Sequence, residues 1–197
     1  ERLRQASLQT KSADNGLIVK HYALTGDPLV QSINFPDATD SSEVGKELFN
    51  LEFCQLEKYR NSCTRVTAMT IDQYMEKHLD DKDRRIPFIS IDVEGYDFTL
   101  MKAAKETLKR TDYLEFEYHH FGDWKNQTLE DAVAMLKKDY GFVCYWAGRN
   151  ELWQITDCFL RDLYEFHDWS NVACVNPDYQ PQLSKKMHEV FEKTLAK

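Results

Sequence analysis

The stretch Ile86-Pro-Phe-Ile-Ser-Ile-Asp-Val-Glu-Gly-Tyr-Asp97 decides the fold of this chain. Its mainly apolar residues 88–91 predict a buried strand, and two carboxylates, Asp92 and Glu94, follow just before Gly95 and a helical pattern. The carboxyl end of a buried parallel strand opens into the crevice where α/β proteins bind ligands. Carboxylates are costly to bury unless they bind something. The stretch therefore predicts a ligand site as well as a strand.

Composition and charge disfavour two classes of partner. The chain has 197 residues and a formal net charge of −8. This acidic balance disfavours non-specific nucleic-acid binding, which needs a basic surface. No apolar run reaches the roughly 20 residues that a membrane-spanning helix needs. We therefore expect a soluble domain, with neither nucleic-acid binding nor a membrane span.

The five cysteines are not spaced like a disulfide framework or a zinc site. Cys144 and Cys174 lie in apolar, strand-like runs and are predicted to be buried thiols. Cys54 and Cys63 flank a polar segment and can pair only in an oxidising compartment. The sequence leaves the compartment open.

The order of the patterns along the chain predicts an α/β fold. Strands are indicated at residues 17–24, 30–35, 65–69, 88–92, 114–118, 142–146, 152–156 and 171–175. Helices are predicted after the caps Thr70 and Thr128, over residues 98–108, and at the end, with Leu183, Met187, Val190, Phe191 and Leu195 on the apolar face. We expect a mostly parallel, three-layer sheet with antiparallel strands at one edge, and an irregular insertion at residues 36–62.

Several of these segments, taken in order, resemble one family. The stretch Ile91-Asp-Val-Glu-Gly95, with Val66-Thr-Ala-Met-Thr-Ile-Asp72 before it and Leu114-Glu-Phe-Glu117 after it, resembles the FkbM family of S-adenosylmethionine-dependent methyltransferases. Residues 141–148, 152–156 and 169–174 are similar to the C-terminal part of its eukaryotic, particularly algal-type, members. The likeness covers residues 1–176, and an amphipathic helix, 177–197, follows.

The resemblance implies the class I methyltransferase fold. That fold is a Rossmann-like, mostly parallel sheet with strand order 3-2-1-4-5-7-6, and its domains use S-adenosylmethionine as cofactor. Residues 17–24, 88–92 and 114–118 would then be strands 3, 4 and 5. The late strands would be the reversed C-terminal pair.

The chain departs from this family at its amino-terminal side. The family's glycine-rich loop after strand 1 has no counterpart, since none of the seven glycines forms a Gly-x-Gly pair. The acidic residue after strand 2, which would hold the ribose, is also missing. Residues 1–15 are similar to the helix that leads into strand 3. We interpret the chain as a domain without strands 1 and 2, completed by a segment outside it or by a neighbouring chain. The other interpretation is a degenerate relative that lacks the cofactor half.

Position in the fold singles out six candidate site residues. The cofactor-binding candidates are Asp92, Ala23 and Leu24, and the catalytic candidates are Glu94, Glu117 and His119. Ala23 and Leu24, where strand 3 would meet the adenine, are equally consistent with ordinary core residues. No metal ligand set is assigned.

The acidic candidates also have plainer interpretations. Asp92 and Glu94 can cap the helix that follows them. Glu117 and His119 share one face of a predicted buried strand, and they can form a general-base pair, a divalent-metal site or a hydrogen-bonded structural pair.

One further motif concerns modification. Asn126-Gln-Thr128 matches the acceptor sequence for N-linked glycosylation. The sequence shows no secretory signal, which favours an unmodified asparagine.

The expected function is methyl transfer from S-adenosylmethionine to a hydroxyl of a small molecule or a sugar. The partner would be that small-molecule or glycan acceptor. Glu94 or His119 would be the base, and Asp92 would lie near the amino acid end of the cofactor or near the acceptor. The alternative is a non-catalytic, methyltransferase-like subunit of a larger assembly.

We predict that residues 1–197 alone do not bind S-adenosylmethionine measurably. The reason is that the loop and the ribose-binding acid on which the cofactor depends are not present in this chain. Isothermal titration of the isolated chain with the cofactor tests this. Micromolar binding would contradict it and would mean that another segment replaces the loop.

Overall fold

A computed structural model describes residues 18–36, 54, 63–79, 81–165 and 169–197 of the chain. The chain divides into two compact units, Glu1–Leu24 with Leu29–Met69, and Thr25–Pro28 with Thr70–Lys197. We describe each unit by itself. The helix predicted over residues 1–15 and most of the insertion predicted at 36–62 lie outside the described residues. The division into domains at residue 176 stays a prediction.

The first unit contains a three-stranded mixed sheet. Its strands are β1 (Ala23–Leu24), β2 (Ser32–Pro36) and β3 (Cys63–Met69). The central strand, β3, is parallel to β1 and antiparallel to β2. The predicted strand over residues 17–24 is too long. Of its described residues, only those of β1 pair with another strand.

A small apolar cluster holds this sheet together. Its buried members are Ala23, Val66 and Ala68, against which Val30, Ile33 and Phe35 pack. Cys54 is buried and forms a disulfide with Cys63 at the start of β3, with a Cα–Cα distance of 6.0 Å. The pairing that the sequence allowed is therefore present.

The second unit contains a five-stranded sheet. Its strands in chain order are β4 (Ile89–Ile91), β5 (Tyr113–Tyr118), β6 (Val143–Ala147), β7 (Leu152–Gln154) and β8 (Ser170–Val175). Their order in the sheet is β4-β5-β8-β6-β7. The predicted alternation of β5 is confirmed, because Leu114, Phe116 and Tyr118 are all buried.

The prediction of a mostly parallel sheet is wrong for the described strands. Only β4 and β5 run parallel in this sheet, and the β5–β8, β8–β6 and β6–β7 pairs are antiparallel. A short connection of four residues, 148–151, joins β6 to β7, and a connection of that length can join only antiparallel neighbours. The α/β class is confirmed, with mixed sheets.

Six α-helices accompany the strands in the described part of the chain. They are α1 (Ile71–His78), α2 (Asp97–Lys102), α3 (Lys105–Lys109), α4 (Leu129–Tyr140), α5 (Arg161–Tyr164) and α6 (Pro181–Leu195). Both predicted caps are confirmed, since the Thr70 and Thr128 hydroxyls accept the Gln73 and Asp131 backbone N–H groups.

The single helix predicted over residues 98–108 is wrong, because it is divided into α2 and α3. The reason is a cap supplied from another element. The Asp72 carboxylate of α1 accepts the backbone N–H groups of Glu106 and Thr107 and the Thr107 hydroxyl. These bonds satisfy donors that a new helix start leaves without partners.

The prediction of buried thiols at Cys144 and Cys174 is also wrong. Both residues are fully buried, but they form a disulfide that joins β6 to β8. The sheet register sets them directly opposite each other with a Cα–Cα distance of 4.0 Å. Sequence separation gave no sign of this register.

The last helix packs one face on the second unit. Met187 is buried, and Leu183 and Phe191 pack with it against Tyr145 and Val175 of the sheet. The predicted face is wrong at its end, where Leu195 is 61% exposed and Thr194 is buried instead. The Thr194 hydroxyl donates to the Val190 carbonyl and accepts the Leu152 backbone N–H, so its polar group is satisfied.

None of the helices in the described ranges is long and apolar enough to cross a membrane.

Two backbone segments meet at Gly95, after β4, and Gly122, after β5. Gly95 has φ +94° and Gly122 has φ +61°. A Cβ atom built on Gly122 would lie 2.7 Å from the Gly95 carbonyl carbon, and one on Gly95 would collide with the Phe121 carbonyl. Only glycine fits at either position without a backbone shift.

We predict that Gly95→Ala lowers the free energy of unfolding by about 2–5 kcal/mol, from an unfavourable φ and a backbone collision together. Gly141→Ala separates the two causes, because φ there is +78° but the nearest atom to the added Cβ is 3.8 Å away; we expect about 1–2 kcal/mol. Gly148→Ala is the control and should change stability by less than about 0.5 kcal/mol. Urea denaturation measures all three. Equal losses for Gly95→Ala and Gly141→Ala would contradict the close approach.

Candidate functional site

The site lies where two parallel strands end side by side. β4 pairs with β5 in parallel, with Ile91 opposite Phe116. Asp92 and Glu94 follow β4, while Glu117 lies near the end of β5 and His119 follows it. The structure brings three of the predicted residues together, because ligand atoms of Glu94, Glu117 and His119 lie within 4.8 Å of one another. Asp92 is exposed beside them.

Glu94 is placed by an unusual turn. Its φ is +56°, in the left-handed region that few non-glycine residues adopt, and Gly95 follows with φ +94°. The Glu94 Oε2 atom is buried, and among the described residues no hydrogen-bond donor reaches it. Burial, and after it the negative charge of Asp92, raises the pKa of Glu94. A carboxylate in this state accepts a proton more readily than an exposed one.

Glu117 lies between Trp169 and His119. Its Oε1 accepts the indole N–H of Trp169, which is 56% exposed, and its Oε2 lies 3.4 Å from Nε2 of His119. Burial raises the pKa of Glu117, the bond from Trp169 opposes that rise, and the charges of Asp92 and Glu94 add to it. One Glu117 oxygen is therefore occupied by a neighbouring N–H group, whereas the buried Oε2 of Glu94 has no such donor among the described residues.

The two nitrogens of His119 are distinguished by their neighbours. Its side chain is fully buried, and Nδ1 accepts the backbone N–H of Phe121 at 2.9 Å. In the neutral ring the proton is therefore on Nε2, which faces Glu117. Burial lowers the pKa of His119, His120 lowers it further, and Asp92 opposes this. The pattern favours a neutral His119 whose Nε2 side faces Glu117; its predicted role as a base stays a prediction.

The cluster has the spacing of a divalent-cation site, but the hydrogen bonds of the imidazole oppose one. A metal-bound histidine needs a lone pair on the nitrogen that faces the metal, and its other nitrogen donates its N–H to a neighbour. Here the other nitrogen, Nδ1 of His119, accepts the Phe121 N–H instead. The arrangement therefore favours proton handling by carboxylates over direct metal ligation by His119.

Ala23 and Leu24, the remaining cofactor candidates, belong to the first unit. Ala23 is buried against Val66 and Ala68, and Leu24 is 38% exposed at the end of β1. Their role toward the cofactor stays a prediction.

Sequence reasoning missed Asp97 although it ends the opening stretch. Asp97 is fully buried at the first position of α2, and its Oδ2 accepts the Gly95 backbone N–H at 3.1 Å. Burial, only partly offset by backbone N–H groups, raises the pKa of Asp97 to about 7. An acid in the first turn of a helix normally indicates an exposed, charged residue, so the pattern gave no signal of a buried acid.

We predict that Asp97→Asn gains stability over the wild type as pH rises. The folded-state pKa is about 7 against 3.8 in the unfolded chain, so burial of the wild-type carboxylate costs stability progressively between pH 4 and 7. From pH 5 to pH 8, the stability of the variant relative to the wild type should increase by about 2–3 kcal/mol.

Urea denaturation at the two pH values measures this gain. Asp139→Asn is the control, because Asp139 is exposed on α4 and its carboxylate stays hydrated in the folded protein. The same difference between Asp97→Asn and wild type at both pH values would contradict the burial cost at Asp97.

Comparison with known proteins supplies the family. The model of the methyltransferase FkbM domain matches residues 2–144, which is well over half of the chain. The likeness drawn for residues 145–176 lies beyond this match and stays a prediction. No curated protein and no solved structure matches the chain. The match includes β4, β5 and the acids at their ends, and the chain belongs to the FkbM family of methyltransferase domains.

Proposed function

We propose that the complete protein transfers a methyl group from S-adenosylmethionine to a hydroxyl of a small molecule or a sugar. Family membership supports methyl transfer in general. A hydroxyl acceptor is supported by the site, because an oxygen nucleophile must lose its proton and the site offers a carboxylate to take it.

The sheet order supports the class I arrangement as part of this proposal. In the second unit β4, β5, β8 and β6 are neighbours in that order, and β8 is antiparallel to both β5 and β6. Strands 4, 5, 7 and 6 of the class I sheet have this order, with strand 7 reversed. The acids then lie at the carboxyl edge, where open α/β sheets bind ligands.

The buried Oε2 of Glu94 is the observation that carries the proposal. Its pKa is raised, and no donor among the described residues occupies it. One Glu94 carboxylate oxygen, at the end of β4, lies within 4.8 Å of the ligand atoms of Glu117 and His119. We assign to Glu94 the acceptance of the proton from the acceptor hydroxyl.

Other residues of the cluster position Glu94 and the ligands. Glu117, which accepts the Trp169 indole N–H, lies beside Glu94, and the charge of Glu94 contributes to the raised pKa of Glu117. Asp92, exposed at the same edge, would bind the ammonium group of the cofactor or a hydroxyl of the acceptor.

The carboxylates at the site fit a cationic cofactor. S-adenosylmethionine, when bound, supplies a methyl group on a positively charged sulfur, and it also carries an ammonium group. The charge of Asp92 raises the pKa of Glu94, and the charges of Asp92 and Glu94 raise that of Glu117. A bound cation would relieve this repulsion. The chain's own residues would orient the hydroxyl in line with that methyl group and remove its proton.

The rival proposal is a non-catalytic subunit of a larger assembly. It is favoured by one feature of the sequence, the missing glycine-rich loop. Cofactor binding by the full-length protein separates the two, because a subunit without the cofactor site would show no saturable binding.

We predict that Glu94→Gln in the full-length protein lowers the rate of methyl transfer by about 10²–10⁴-fold, the usual contribution of a positioned base. Cofactor affinity and melting temperature should stay close to wild type. Because the pKa of Glu94 is raised, the wild-type rate should increase as pH rises through that pKa and the Glu94 base loses its proton. The variant should not show this increase with pH.

The assay measures S-adenosylhomocysteine release with a panel of hydroxyl-bearing small molecules and sugars. Glu189→Gln, at an exposed glutamate of α6, is the control. Asp92→Asn should abolish transfer without a change in melting temperature, because the Asp92 side chain is exposed and makes no hydrogen bond within the described residues. Full activity of Glu94→Gln would contradict the assignment of the base.

A further inference from the structure

The glycosylation motif lies on an accessible connection of the second unit. Asn126 follows the 3₁₀ helix Gly122–Lys125, and Thr128 caps α4. Asn126 is exposed, and its side-chain amide makes no hydrogen bond within the part of the chain that the structure describes. The amide nitrogen that would receive a glycan is therefore available at the surface.

The backbone around Asn126 is anchored while its side chain is not. Its N–H donates to the Asp123 carbonyl at 2.9 Å. On the next residue, Gln127 Nε2 donates to the Thr99 hydroxyl at 3.1 Å, and the Thr128 hydroxyl accepts the Asp131 N–H at 3.0 Å. A glycan on Asn126 would extend from a fixed surface point without breaking any of these bonds.

The two disulfides provide an independent observation. Four of the five cysteines are paired, Cys54 with Cys63 and Cys144 with Cys174, and Cys158 is the exposed free one. Disulfides form and persist in oxidising compartments such as the lumen of the endoplasmic reticulum and are rare in the cytosol. In eukaryotic cells N-linked glycans are attached in that same lumen.

We propose that Asn126 carries an N-linked glycan, added while the chain matures in an oxidising lumen. A glycosyltransferase of the lumen would join the Asn126 amide nitrogen to the anomeric carbon of an oligosaccharide carried on a polyprenyl diphosphate. The carbon–oxygen bond to the diphosphate breaks, the polyprenyl diphosphate leaves, and the amide loses one proton. Each disulfide forms as a thiol oxidant of the lumen accepts two electrons and two protons. The proposal does not rest on the methyltransferase function.

The test uses full-length protein isolated from the cells that make it. The protein is denatured in N-ethylmaleimide, treated with peptide-N-glycosidase in ¹⁸O-water, and only then digested with trypsin. Cleavage after Lys125 and Lys137 releases residues 126–137 as one peptide. The expected result is an ¹⁸O-labelled aspartate at position 126 and N-ethylmaleimide on Cys158 alone.

Two variants expressed in the same cells give a readout on the intact protein. Asn126→Gln should migrate at the position of the glycosidase-treated wild type. Asn150→Gln changes another exposed asparagine, one that lacks the acceptor motif, and should show the same shift in migration on glycosidase treatment as the wild type. An unlabelled asparagine at 126 in the native peptide overturns the proposal, whatever the variants do. N-ethylmaleimide on Cys144 and Cys174 overturns it as well, since the chain would then not have matured in an oxidising lumen.

Discussion

The contact between the backbones at Gly95 and Gly122 is the constraint on which the candidate site depends. The Gly95 carbonyl accepts the Asp123 N–H at 3.0 Å, and neither glycine has room for a side chain. Because β4 and β5 are parallel neighbours, the segments that leave them emerge at one edge of the sheet. Close stacking of these segments sets Glu94, on one of them, beside His119, at the start of the other.

The electrostatics of the site follow from that compactness. Burial is the largest cause of the raised pKa at Glu94, Asp97 and Glu117 alike. N–H groups from Gly95 and Trp169 compensate part of the negative charge. The remaining charge is held in a place where desolvation makes it costly, and such places in proteins are commonly functional. A cationic ligand would lower this cost, which is why the acids and a sulfonium cofactor are consistent with each other.

The surroundings of Glu117 extend beyond the part of the chain that the family model matches. That match ends at residue 144, whereas Trp169, which donates to Glu117, lies next to β8. The antiparallel pairing of β8 with β5 brings it there, and the disulfide between Cys144 and Cys174 joins β8 to β6 on its other side. The late, antiparallel strands are therefore part of the site's support as well as of the sheet.

The sequence by itself determined the α/β class, the strand before Asp92, the caps at Thr70 and Thr128, and the family. These features depend on neighbouring residues, whose spacing and chemistry can be identified along the chain. Only the tertiary structure decided the register that sets Cys144 opposite Cys174, and the burial of Asp97. Each of these depends on pairing between segments far apart in sequence, where many registers satisfy the same local pattern and packing selects one.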